Sequence, residues 1–130
     1  MNAAPVGILA NQYAVFLYAR ANNTQAEPLY RHALAMAEAS FGSDHPNVGK
    51  SLNNLALLLQ ATNLLSDAEP LMRRALAIDE ASLGPNHPRV ATELNNLASL
   101  LQATNRLSEA EPLYRRAKIL WILLYSGFGT

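Results

Sequence analysis

Apolar residues recur along this chain at helical spacing, in stretches broken by short polar turns. Leu52, Leu55, Ala56 and Leu59 fall at i, i+3, i+4 and i+7, the spacing of one helix face. Leu71, Ala75, Ile78 and Ser82 follow at i, i+4, i+7 and i+11 on a second stretch. The pattern predicts a helix over about 47–61, a turn at Thr62-Asn63-Leu64-Leu65 and a second helix that stops at Gly84. Pro46 after His45 suits a first helical position, where a missing N–H leaves nothing unpaired. Ser66-Asp67-Ala68-Glu69 matches the S-x-x-E capping box, so Ser66 is expected to cap the second helix.

The same stretches return. Leu52 to Ala75 and Leu94 to Ala117 agree at 20 of 24 positions at an offset of 42 residues. They differ only at Leu57/Ser99, Leu64/Arg106, Asp67/Glu109 and Met72/Tyr114. A weaker earlier copy keeps Asn11, Ala14, Leu17, Ala26-Glu27-Pro28-Leu29 and Ala33-Leu34-Ala35 in register, and the capping pattern repeats as Thr24-Gln25-Ala26-Glu27 and Ser108-Glu109-Ala110-Glu111. Self-similarity of this period marks stacked units, each burying its apolar face on a neighbour. The expectation is an all-α solenoid in one domain over 1–130, with three helix-turn-helix units at about 5–46, 47–88 and 89–130 and about six helices.

L-N-N-L-A in the first helix of a unit, A-E-P-L-x-R-R-A in the second and a G-x-x-H-P link resemble tetratricopeptide repeats. The period of 42 is similar to the repeats of kinesin light chain and its bacterial relatives. The resemblance covers the chain up to Ala117. It places Leu55-Ala56 at the Leu-Gly position of helix A, and Ala68 and Ala75 where helices A and B approach closely. What it implies is a superhelix whose concave groove, lined by A helices, holds a peptide or protein segment without catalysis.

If 52, 55, 56 and 59 face helix B, then Lys50, Asn53, Leu57 and Gln60 form another stripe. Its counterparts are Ile8, Asn11, Val15 and Tyr18 in the first unit, and Thr92, Asn95, Ser99 and Gln102 in the third. Asparagine recurs at the centre of all three stripes, and its amide both donates to and accepts from a peptide backbone whatever the ligand's side chains. Two roles stand open for Asn11, Asn53 and Asn95: gripping a ligand, or bonding neighbouring helix carbonyls. Asn54 and Asn96 lie nearer the preceding unit and are expected to pair within the scaffold. Lys50, the lone cation of the stripe, would favour an acidic segment.

Composition narrows the alternatives. The chain has 130 residues, half of them hydrophobic, enough for one core. Ten basic and ten acidic residues cancel without a block of like charge, so no nucleic-acid or anionic-membrane surface is expected. Cysteine is absent, which removes thiolate chemistry. No cofactor motif occurs, and His45 and His87, one repeat apart on the order of 10 Å, are too far apart to share a metal ion. Ser43-Asp44-His45 has triad residue types, but adjacent loop residues cannot form a relay through space. The N-terminus lacks a basic n-region and no apolar run reaches the ~20 residues of a membrane span, so a cytoplasmic protein is expected. On helix B, Arg31, Arg73 and Arg115 stand four residues after Glu27, Glu69 and Glu111, in position for helix-face ion pairs.

The pattern breaks after Ala117, where LAMAEASFG and LAIDEASLG are answered by KILWILLYSGFGT. Trp121 and Ile122 stand where Asp79 and Glu80 stood, so Trp121, Ile122, Leu124 and Tyr125 form a candidate self-association patch. Strict register puts Ser126 at the Gly84 position, whereas a shift of three aligns Phe128-Gly129-Thr130 with Phe41-Gly42-Ser43. Further repeats, self-association as a homo-oligomer and an altered reading frame would each account for such a helix. An accessory repeat of a larger signalling protein or enzyme is the remaining alternative to a groove-binding scaffold.

Overall fold

A computed structural model describes residues 10–14 and 23–126. Residues 10–14 are helical and are called α1. There follow α2 (Asn23–Phe41), α3 (Pro46–Ala61), α4 (Leu65–Leu83), α5 (Pro88–Ala103) and α6 (Leu107–Ser126). The fold is an all-α solenoid, with no strand among the described residues. Ile8, Val15, Tyr18 and Phe128-Gly129-Thr130 lie outside the described residues.

The helix starts after the G-x-x-H-P links are capped by imidazole. His45 and His87 hold extended backbone, and each Nδ1 accepts a hydrogen bond from the N–H two residues on, Asn47 at 3.1 Å and Arg89 at 3.0 Å. That satisfies one of the orphan donors of a helix start. Phe41 stacks on the His45 ring at 4.5 Å, steadying the first of these caps. Gly84 closes α4 at φ 91°, a conformation that a side chain resists.

The A-to-B turns overturn the capping-box expectation. α4 begins at Leu65, so Ser66 lies inside its first turn, and the N-cap residue Leu64 makes no side-chain cap bond. Ser108 likewise follows the α6 start at Leu107, and Thr24 follows Asn23 in α2. The reason is the way helix A ends. Asn63 takes a left-handed conformation (φ 63°), its N–H bonds the Gln60 carbonyl, and the Leu64 N–H reaches back to Leu59 at 2.7 Å. This is a Schellman motif. The Leu64 carbonyl then accepts from Ala68, so one three-residue turn closes α3 and opens α4. Asn105 (φ 62°) and Arg106 repeat the geometry between α5 and α6.

Each A helix is packed on both sides, because α3 contacts α2 before it and α4 after it, and α5 contacts α4 and α6. This buries more than the single stripe of leucines. Leu58 and Leu100 are fully enclosed along with Leu52, Leu55, Leu59, Leu94, Leu97 and Leu101. One core runs the length of the stack, from Ala14, Ala26 and Tyr30 through Leu55, Leu58, Ala68 and Met72 to Leu97, Leu100 and Ala110. The wholly buried Ala68 and Ala110 let the B helices approach closely. Two smaller clusters, around Val48-Leu52-Ala75-Ile78 and Val90-Leu94-Ala117-Leu120, fill the other ends of the helix pairs.

Candidate functional site: the unburied face of the A helices

Double-sided packing leaves one narrow strip of each A helix open. On α3 it carries Lys50, exposed, and Asn53, Leu57 and Gln60, each half-buried. On α5 it carries Thr92, Asn95 and Gln102, exposed, and Ser99, half-buried. These are the positions that the sequence spacing assigns to the groove. Asn53 and Asn95 occupy equivalent places one repeat apart.

The hydrogen bonds divide the polar residues of the strip. Asn54 donates its amide N–H to the Asn11 carbonyl oxygen at 3.2 Å, tying α3 to α1. Asn54 is therefore a scaffold residue, and Asn11 has its oxygen engaged while its amide N–H₂ remains. Gln102 accepts from the Tyr114 hydroxyl at 3.0 Å, which brings a helix-B side chain to the edge of the strip. Tyr114 is one of the few positions at which the repeats differ, and Met72, its counterpart, is buried. That difference was the signal for it in the sequence. Asn53 and Asn95 make no side-chain hydrogen bond among the described residues, so both faces of their amides are available.

Charged residues outside the strip hold neighbouring units together. Arg31, Arg73 and Arg115 pair with Glu27, Glu69 and Glu111 along their own helices, as the spacing predicts. The second arginines of Arg73-Arg74 and Arg115-Arg116 do something the spacing does not reveal. Arg74 reaches Glu38 on the preceding B helix at 3.3 Å, and Arg116 reaches Glu80 at 2.9 Å, the same link displaced by one repeat. Arg106 joins Glu69 of the preceding unit to Glu109 of its own. Burial raises the Glu69 carboxyl, but hydrogen bonds from Arg106 and Arg73 outweigh it and hold the group below its ordinary value. Arg106 does the same for Glu109.

Between α4 and α5 lies an acidic pair that is out of contact with water. Asp79 is fully enclosed and Glu93 is 3% exposed. Gly49 leaves room for Asp79: a methyl group there would sit 2.9 Å from its Oδ1. Arg89 donates from Nε to Asp79 Oδ2 at 3.1 Å and from its terminal nitrogen to the Pro46 carbonyl at 2.9 Å. Asp79 Oδ1 and Glu93 Oε2 are left without a partner unless one carboxyl carries a proton. Burial, and then the hydrogen bond and charge of Asp79, push Glu93 up to about 9, with Arg89 opposing.

A raised carboxyl means that the folded chain binds the proton more tightly than the unfolded one. Glu93 thus contributes stability that is complete below its unfolded value near 4.5 and lost as pH rises toward about 9. Glu93→Gln keeps a donor toward Asp79 and removes the titration. It is expected to raise the unfolding free energy, read from urea titrations, by a margin that widens from pH 5 to pH 9, reaching about 1–3 kcal/mol at neutral pH. A parallel pair of pH profiles would show instead that Glu93 titrates alike in both states.

Among the described residues no group of three or more His, Cys, Asp or Glu side chains could hold a metal ion. Nor is any helix among them long and apolar enough to cross a membrane.

The sequence model of the tetratricopeptide repeat family matches residues 6–81 and 65–118. None of the curated proteins matches it. Among solved structures, BtubC (BKLC) from P. vanneervenii superposes with a TM-score of 0.85 at 24% identity, over 92% of this chain and 48% of that one. A Podosopora anserina protein of nearly identical TPR-like repeats, named after kinesin light chain, gives 0.77 at 23% over 85% of this chain and 53% of its own. A point variant of that Podosopora anserina protein gives 0.81 at 20%, over 92% of this chain and 56% of its own. The chain thus spans about half the length of the solved structures it matches, and what it shares with them is the helical solenoid fold.

Proposed function

Because the chain belongs to the tetratricopeptide repeat family, whose repeats generally scaffold protein–protein interactions, we propose that it holds a peptide or protein segment along the open strip of its A helices. The observation that carries this reading is the pair of uncommitted amides on Asn53 and Asn95. Adjacent A helices in a stack stand about 10 Å apart. An extended peptide advances about 10 Å in three residues. Two asparagines one repeat apart therefore match backbone groups three residues apart on a single ligand strand. Each amide offers a donor and an acceptor, which suits a peptide unit of any sequence. Side-chain preference falls to the residues around them: Lys50 for an acidic group, Leu57 for an apolar one, and Thr92, Ser99, Gln60 and Gln102 for polar ones. Asn11 serves the same row through the N–H₂ that Asn54 leaves over. The module is non-catalytic, uses no cofactor, and works in the cytoplasm on a protein partner.

Peptide-display selection on the intact chain tests this. Enriched peptides that are lost on an Asn53→Ala/Asn95→Ala variant of unchanged circular dichroism are the expected result. Acidic residues among them, weakened by Lys50→Ala, would assign Lys50 its role. No enrichment from a folded chain overturns the groove reading.

A further inference from the structure

The stretches Leu52 to Ala75 and Leu94 to Ala117 differ at four positions, and those differences fall into two groups in space. Arg106 and Glu109, which replace Leu64 and Asp67, pair with each other, and Arg106 also pairs with Glu69. The other two changes meet at the open strip. Ser99 replaces Leu57 on the strip itself, and Tyr114 replaces Met72 on the B helix packed behind it. Both turn the third unit from apolar to polar. In the second unit Met72 is buried in the central cluster and Leu57 packs against that cluster, so the strip there presents a leucine on apolar ground.

Tyr114 does more than add a hydroxyl, because it donates to Gln102 Oε1 at 3.0 Å. A planar carboxamide held by its oxygen turns its N–H₂ away from the group that holds it. Gln102 makes no other hydrogen bond among the described residues, and the Ser99 hydroxyl makes none. The two residues stand at i and i+3 on α5, so both can donate to one ligand group. Gln60, the counterpart of Gln102, meets methionine at the Tyr114 position and lacks such a hold. Tyr30 keeps the tyrosine in the first unit, but there Tyr18 stands at the Gln102 position. The tyrosine–glutamine pair thus belongs to the third unit alone.

We propose that the second and third units read two different side chains of one peptide, an inference that rests on the groove reading above. Leu57 takes an apolar side chain. Ser99 and Gln102 take a hydrogen-bond acceptor, the carboxylate or carboxamide of an Asp, Glu, Asn or Gln. Tyr114 is the positioning residue that keeps Gln102 turned donor-side outward. The two ligand side chains lie three residues apart. Equivalent positions on adjacent A helices are about 10 Å apart, and a polyproline-II strand advances about 9 Å in three residues and returns every third side chain to the same side. A pleated strand would send side chains three apart to opposite faces.

A library of random peptides displayed on phage, selected on the intact chain and on its variants, decides it. On the wild type the expected result is an apolar residue with an Asp, Glu, Asn or Gln three positions from it. Ser99→Leu/Tyr114→Met gives the third unit the residues that the second already carries, and it is expected to exchange the acceptor for a second apolar residue. Tyr114→Phe removes only the hydroxyl. It is expected to weaken the best wild-type peptide about three- to tenfold, the worth of one hydrogen bond. The same peptide with alanine at the acceptor position should bind the wild type and Tyr114→Phe alike. Circular dichroism confirms that each variant is folded, and Tyr114→Phe decides alone should the double variant misfold. An acceptor retained by Ser99→Leu/Tyr114→Met overturns the proposal and leaves the groove reading standing. So does a Tyr114→Phe variant that weakens both peptides equally or neither, or wild-type enrichment without the paired spacing. No enrichment at all overturns the groove reading, and this inference with it.

Discussion

Arg89→Met is expected to lower the stability of the folded chain by about 2–4 kcal/mol. The reason is what the arginine leaves behind. Asp79 is enclosed on all sides, and its Oδ2 takes its hydrogen bond from Arg89. Removing one partner of a buried ion pair strands the other, at about 3–5 kcal/mol when both are fully enclosed. Arg89 is 35% exposed on its side chain, which places the expected loss toward the lower part of that range. The same guanidinium holds the Pro46 carbonyl, so α3, α4 and α5 loosen together. Methionine keeps most of the stem's packing, so the effect reads the charge rather than a cavity. Adding Asp79→Asn to Arg89→Met removes the stranded charge and is expected to recover a substantial part of the loss. Urea unfolding of the two variants and the wild type measures both steps. An undiminished midpoint for Arg89→Met would mean that Asp79 does not depend on it.

Nothing in the sequence marks Asp79 and Glu93 as buried. Asp79-Glu80 reads as the polar side of a helix, and Glu93 falls beside the threonine and asparagine of the next one. Their burial comes from the contact between units, which a single-helix stripe does not encode. A comparison of registers holds a trace of it. Asp79 is answered by Ala37 and Trp121, Glu93 by Ser51, and Arg89 by Asn47, so all three depart together from the repeat. Gly49, against Ala91 in the next unit, departs with them. Positions that break a near-perfect repeat in concert are positions that meet across it.

The helices themselves were legible because their cause is local. Proline at the first helical position, glycine past the end and leucines at helical spacing act within a few residues of one another. The capping boxes misled for a related reason. Ser66 and Glu69 have the right spacing, but the Schellman bond from the Leu64 N–H to Leu59 closes helix A so tightly that helix B starts at Leu65, one residue before Ser66. Asn63 in its left-handed conformation was the competing signal. The tail was legible only as a departure, and α6 includes Ser126, at the place where Gly84 stands outside α4. On the open strip, spacing located Asn11, Asn53 and Asn95 alike, yet it did not reveal that Asn54 takes up the Asn11 oxygen. The place of Asn54 on the helix pointed to a pairing with the preceding unit, but not to Asn11 as its partner.

Adjacent leucines on α3 give the sharpest test of which face is open. Leu58→Ala is expected to cost about 2–5 kcal/mol, the range for a leucine removed from a closed core. Leu58 is fully enclosed among the residues of the long central cluster, and the helices on either side of α3 prevent the gap from collapsing. Leu57→Ala is expected to cost well under half as much, because Leu57 is only partly buried and one side of it already meets water. In exchange Leu57→Ala should change which peptides a display selection enriches, whereas Leu58→Ala in a chain still folded should not. One residue is about 100° of turn, so the pair fixes the rotation of the A helix about its axis. If Leu57→Ala proved the more destabilising, α3 would be turned by that amount. Lys50, Asn53 and Gln60 would then face the packed sides of the helix, and a ligand strand along them would have no surface to lie on.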